Sequence, residues 1–436
     1  MIATPLILAL VPTLGNPGAL PSPTEAMVSE RTAGDLLAIR AARVELGNGE
    51  TLKNAVILIE DGKIVTIGED LPIERGIPVL ELKENQVVMP GLVNAYSRVG
   101  MDSRGQSSAR PWVKASDELY PPSLDYGRVL EAGVTTLGQY PAGTGIPGRA
   151  VVVRPKGATA EEMLLADPAY LKIIMASSST AKGYISGGFK KADQWLEKEK
   201  KNKAKWEKAK EKYDKKKKEW DKEKDDEKKE KDREKVEKLD PGPYKPIDPD
   251  PKAQSFLELR EGTLKALISI RSAGDYLHLL DAIGEEEFSW DLRVVMTRSM
   301  DIYNVKEQIG EAGLRVVMEP EISLHPGTMR QRNLSAELAR AGAKLVLVPR
   351  SDSITSQKAW LRHVGEMVAA GLDYQTAIRA VTLEPAELLG VGDQVGSLEV
   401  GKAANLLILS GDPFEVGTEV EVVMLDGQFV HGEVDL

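Results

Sequence analysis

The chain has 436 residues, 42% hydrophobic and 28% charged, enough to bury one large α/β unit plus a smaller companion. It has no cysteine, which excludes disulfides, thiolate metal sites and cysteine nucleophiles. The four histidines (His278, His325, His363 and His431) restrict any imidazole-bound metal, and a net charge of −10 argues against nucleic acid as a partner.

Residues 1–34 open with the apolar run MIATPLILALVPTLG and continue as a Pro/Gly/Ser spacer. The run suits the core of an export signal and is too short to span a bilayer. It lacks a preceding Lys or Arg and is interrupted by Pro5 and Pro12, so export through an atypical signal and cytoplasmic residence both stay open. No other segment has the length and apolarity of a membrane span.

From Asp35 to Val88 the pattern predicts short strands, LLAIRAARVEL, AVILIEDGKIVTIGED and VLELKENQVVMP, with a hairpin at Asp61–Gly62. The same texture returns near the C-terminus in GSLEVGKAANLLILSGDPFEVGTEVEVVMLDGQFVHGE, with a second hairpin at Asp426–Gly427. Residues 35–88 and 394–436 are therefore expected to form one composite β-sandwich around an inserted unit, 89–393.

That middle alternates strands (VTTLGQY, AVVVRP, ALISIRS, LRVVMTRS, LRVVMEP, AKLVLVPRSDS) with helical stretches such as DYLHLLDAI, YNVKEQIGEAG and NLSAELARAG. The rhythm predicts an α/β fold, a (β/α)8 TIM-like barrel whose strand ends form the active face. One stretch breaks it: Lys190–Leu239 carries 22 basic and 16 acidic residues. Its Trp195, Trp206, Tyr213 and Trp220 are spaced by 11, 7 and 7, so they share a helix face. The expectation is a charged helical insertion over 190–250, as a rod or a folded-back hairpin, ended by the Pro-rich PGPYKPIDPDP. The aromatics either anchor the insertion or dock it on the barrel or on a second copy in a homo-oligomer.

VVMPGLVNAY, EAGVTTL, RSDS and the closing AIRAVTLEPAELLGVGDQVGSLEVGKAANLLILSGDPF, in this order, resemble the amidohydrolase superfamily over most of the chain. YPAGTGIPGRAVVVRP and DPAYLKIIMASSS are similar to its imidazolonepropionase- and prolidase-like branch. The resemblance implies divalent metal at the strand ends, held by a His-x-His pair on the first strand. A carboxylated lysine in some members, histidines on the fifth and sixth strands and an aspartate on the eighth complete the implied set.

Carried onto this chain, Asn94 and Tyr96 stand at the His-x-His positions, with Arg271 and Arg298 expected near the fifth- and sixth-strand histidines. Only Asp352 keeps its type, as the implied catalytic carboxylate. An amide and a phenol are poor metal ligands, and guanidinium groups repel cations. No cofactor is therefore expected; the alternative is one divalent ion such as zinc on Glu319, Glu321, His325 and Asp352. Arg271 or Arg298 neutralising Asp352 would leave a metal-free pocket suited to a small anionic ligand, or a plain structural ion pair. The Gly-rich loop Ala142–Gly148 lacks phosphate-loop spacing and reads as tight turning. Two functions follow: a non-catalytic binding or scaffolding homologue, or a hydrolase of non-peptide or dipeptide carbon–nitrogen bonds with an unorthodox site.

Overall fold

The computed structural model describes residues 36–434, so the N-terminal signal or linker expected over 1–34 lies outside the described residues. Both chain ends contribute to one eight-stranded sheet. Leu37–Glu45, Thr51–Glu60 and Lys63–Glu69 pair antiparallel in sequence, and Val87–Pro90 runs parallel to the first of them. Val87–Pro90 then pairs antiparallel with Leu406–Leu409, which continues into Val420–Leu425 and Gln428–His431. The expected sandwich is thus a single sheet whose strand pairing passes from one end of the chain to the other.

Period-two alternation assigns its residues to two cores. Val88, Leu406, Ile408 and Met424 pack with Ile39, Ile57 and Ile64 in the sheet's own core. Met89, Leu407, Leu409 and Val423 point the other way, into the main core. Both expected hairpins form: Asp61 and Gly62 have φ of 49° and 76°, Asp426 and Gly427 have 49° and 76°, as a two-residue primed turn requires. The two turns abut, and a Cβ on Gly427 would lie 2.6 Å from Gly62 Cα.

In the middle, Leu171–Ile174, Ala266–Ile270, Trp290–Val294, Arg315–Met318 and Lys344–Leu347 are successive parallel neighbours. Leu92–Ser97 and Val134–Gln139 form a second parallel pair. The expectation of eight parallel strands fails at the third. Gly148–Arg149 and Val151–Val153 run antiparallel to Leu171–Ile174 and Val134–Gln139 respectively. The cause is the connection: residues 140–147 turn back in a Gly-rich loop with no helix to carry the chain across the sheet.

Among the described residues these strands lie in a six-stranded and a four-stranded sheet, without a hydrogen-bonded closure between Lys344–Leu347 and Leu92–Ser97. Side chains fill that seam. Helix Leu383–Leu389 lies against both strands, and Ala386, Leu388 and Leu389 pack with Val93, Ala95, Val346 and Val348.

The charged insertion is one helix, Ser179–Lys222, of 44 residues, about 66 Å at 1.5 Å per residue. It folds back through helix Asp226–Glu237 and an extended return. The indoles of Trp195, Trp206 and Trp220 donate to the carbonyls of Ile247 (2.9 Å), Gly242 (3.0 Å) and Lys229 (2.8 Å). Trp206 also packs edge-on against Tyr244. The three indole N–H groups are therefore satisfied by the arm's own return, and Trp195 also packs against the main core. No described helix is long and apolar enough to cross a membrane.

Gly427→Ala is expected to lower stability by more than the about 1–2 kcal/mol of a left-handed non-glycine residue, because a backbone clash is added. Gly76→Ala, with φ 94° and open space around its Cβ, supplies the strain without the clash; comparing the two by urea denaturation isolates the contact between hairpins. Trp206→Ala should speed proteolysis within residues 240–250 while leaving the melting of the main core unchanged, since the indole secures only the return segment.

Candidate active face

Strand Leu92–Ser97 starts immediately after Gly91, where a Cβ would collide with the Thr135 side chain, so only glycine brings this strand against Val134–Gln139. Asn94 is buried; its side-chain carbonyl accepts the Tyr96 N–H at 3.2 Å and its amide NH2 has no partner. Tyr96 stacks on Tyr140, ring centroids 3.9 Å apart and planes 28° from parallel. Tyr140 directly follows strand Val134–Gln139.

Two cations close on this stack. Lys172, in strand Leu171–Ile174, places Nζ 3.6 Å from the Tyr140 centroid and 5.1 Å from that of Tyr96. Arg293, in strand Trp290–Val294, sets its guanidinium 4.9 Å from the Tyr96 centroid. Lys172 is 5% exposed and Arg293 4%. Arg293 donates to Glu319, at the end of the next strand, and to the Val294 and Val317 carbonyls, while its Nε stays unpartnered. Ser269, cross-strand to Arg293, lies beside Tyr96, and its buried hydroxyl has no hydrogen-bond partner.

Burial sets the proton affinities here. It pushes the Lys172 ammonium down to about 7, with Arg98 and Arg293 adding repulsion. Burial raises the phenols of Tyr96, Tyr140 and Tyr170 above their ordinary value, against the opposing pull of Arg293. All three tyrosines are thus kept neutral at physiological pH, with Tyr170 donating to the Ala95 carbonyl at 3.1 Å.

Asp352 sits at the rim, exposed as a residue but with its carboxylate turned inward. Oδ1 accepts from Ser97 Oγ at 2.8 Å and Oδ2 from the Arg98 N–H at 3.1 Å. Burial raises its proton affinity, and those two hydrogen bonds with the Arg98 charge pull the other way. The arginine facing this carboxylate is therefore Arg98, in place of Arg271 or Arg298. Its side chain is itself engaged by the Tyr140 carbonyl (2.8 Å), Ser103 and Glu118.

Arg271 and Arg298 are both exposed and are not part of this cluster. The strand preceding Arg271 ends at Ile270, and the next ends at Val294, four residues before Arg298. Counting from the polar run after each strand thus overshot the inward positions, Ser269 and Arg293. Nor does the chain gather Glu319, Glu321, His325 and Asp352. Glu319 is taken by Arg293, His325 sits in the hairpin Ser323–Leu324/Gln331–Arg332 with Nδ1 3.4 Å from Arg332, and Asp352 faces Ser97. Among the described residues no three His, Cys, Asp or Glu side chains form a metal-binding group. The Gly-rich loop commits Gly143–Ile146 to parallel pairing with Gln106–Ala109.

Lys172 and Arg293 are the residues that sequence reasoning missed. A signal existed: LKII and WDLRV each carry a cation inside an otherwise buried strand, where charge is rare without a purpose.

The chain matches the Amidohydrolase family over residues 294–431. Amidohydrolase tasK of Hapsidospora irregularis is 37% identical over 57 residues, 13% of this chain and only 6% of that protein's length. The crystal structure of an amidohydrolase from Thermotoga maritima MSB8 superposes with a TM-score of 0.70 at 20% identity, covering 91% of this chain and 100% of that one. A Xaa-Pro dipeptidase with bound methionine superposes at 0.52 and 13% identity, over 91% and 100%. At such identities the superpositions speak for a shared mixed α/β fold, and the family match, which spans residues 294–431, supports kinship with the amidohydrolase superfamily.

Proposed function

We propose that this chain is an amidohydrolase-superfamily member that has lost its metal centre and acts as a non-catalytic binding or scaffolding homologue. The fold reading that accompanies it is a barrel-type unit, residues 89–393, set in a composite β-domain from residues 35–88 and 394–436. The observation that carries the proposal is the tyrosine stack at the first-strand ligand position, with Lys172 Nζ 3.6 Å and the Arg293 guanidinium 4.9 Å from its rings.

The donor set there does not fit a divalent cation. Zinc and its relatives take imidazole, carboxylate or thiolate, and three or four such ligands are needed. Here Tyr96 keeps its proton because of burial, Arg293 and Lys172 would repel an ion, and Asp352 is a lone carboxylate already held by Ser97 and Arg98. The Arg293–Glu319 pair supplies fixed charge where an ion and its ligands would otherwise stand. A second reading, hydrolysis of carbon–nitrogen bonds, is favoured by one feature: burial raises the proton affinity of Asp352, as a general acid or base requires.

Protein expressed with zinc and manganese supplements and purified without chelators should contain substoichiometric metal, unchanged in Asp352→Ala. Stoichiometric metal that disappears in Asp352→Ala would overturn the proposal in favour of the hydrolase.

Arg293→Met alone should cost about 3 kcal/mol in urea denaturation, since it strands Glu319 without its partner. The double variant Arg293→Met/Glu319→Met should regain most of that loss, because no unpaired charge remains. A double variant as unstable as the single one would show that the pair does not act as a unit.

A further inference from the structure

Lys172 differs from every other cation of this cluster. Arg293 has Glu319, and Arg98 has Glu118 at 3.6 Å and the carbonyl of Tyr140 at 2.8 Å. No ion pair within 4.0 Å is formed by Lys172 among the described residues; its neighbours are two tyrosine faces and two guanidinium groups. A buried ammonium without a counter-charge is costly, and Lys172 as a whole residue is 5% exposed. Its chemical surroundings are short of acceptors: Arg293 Nε and Ser269 Oγ are both buried without a partner. Tyr96 and Tyr140 keep part of their surface in solvent, so the cluster lies at an accessible end of the fold.

We propose that Lys172, framed by Tyr96 and Tyr140, anchors a binding site for a small monocarboxylate. The site is short of one negative charge, which suits a monoanion, and its walls are aromatic faces, which suit the apolar carbon next to a carboxylate. Arg293 Nε and the Ser269 hydroxyl are the further donors such an anion requires. This inference rests on the metal-free reading of the same site and names the class of ligand it takes.

Proton linkage follows with a definite sign. The groups facing Lys172 are Tyr96 and Arg98 from the first strand and its end, Tyr140 after the second, Arg293 from the sixth, and beyond them Tyr170, Glu319 and Asp352. The ammonium form binds the anion, and in the free protein that form is half populated at about pH 7. A bound carboxylate raises the proton affinity of Lys172. Apparent affinity is therefore flat below that pH and falls about tenfold per pH unit above it.

The test is thermal stabilisation by acetate, against chloride and inorganic phosphate at equal ionic strength, at pH 6 and pH 8.5, on metal-analysed full-length protein. Acetate should stabilise the wild type saturably at pH 6 and more weakly at pH 8.5. Lys172→Met should melt higher than wild type without ligand, because the uncompensated charge is gone, and should lose the acetate effect at both pH values. Acetate no better than chloride, an equal response in Lys172→Met, or a preference for phosphate at pH 6 would each overturn the proposal. Metal content read on the same sample separates the two ideas: stoichiometric metal overturns the metal-free reading, whereas failure of acetate in metal-free protein overturns only this inference.

Discussion

The pairing of Val87–Pro90 with Leu406–Leu409 is the contact on which the architecture depends. It joins two segments more than three hundred residues apart and is buried on both faces, so its alternate side chains tie two cores together. Burying a leucine is worth about 1.5–3 kcal/mol, and Leu406, Leu407 and Leu409 with Ile408 are all fully buried. Gly91 follows at once and lets the chain press against Thr135, which sets where Leu92–Ser97 runs and hence where Asn94 and Tyr96 stand.

From that starting strand the candidate site is built across the sheet. Tyr96 from the first strand meets Tyr140 from the end of the second, Lys172 from the fourth and Arg293 from the sixth. Each cation lies inside an apolar strand that would be destabilised by it in isolation. They are tolerated together because the aromatic faces attract them and Glu319 neutralises one of them. The remaining uncompensated charge is the physical reason to look for a ligand at Lys172 before anywhere else in the molecule.

Much of the fold was legible. The Asp–Gly hairpins, the return of β-texture at the C-terminus and the alternation in the middle are local signals, set by backbone sterics and period-two burial. The third strand was misread because AVVVRP carries no mark of direction; only the short Gly-rich return before it makes the strand antiparallel. The aromatic spacing in the arm was read correctly as one helix face, whereas its partner, the Pro-rich return, was taken merely as the element that stops the helix.

At the site, Asn94, Tyr96 and Asp352 were found because they stand in motifs of fixed spacing. Arg271 and Arg298 were misplaced because strand ends are invisible in sequence to within a few residues, and a shift of one residue reverses the face. The sequence by itself determined the resemblance to amidohydrolases, the β-texture of both chain ends and the scarcity of imidazole, since these depend only on residue identity and local order. The tertiary structure alone decided that Lys172 and Arg293 converge on Tyr96, that Arg98 serves Asp352, and that Glu319 is spent on Arg293. Those pairings join residues from different strands, and which side chains meet there is fixed by register and packing, quantities that no local pattern contains.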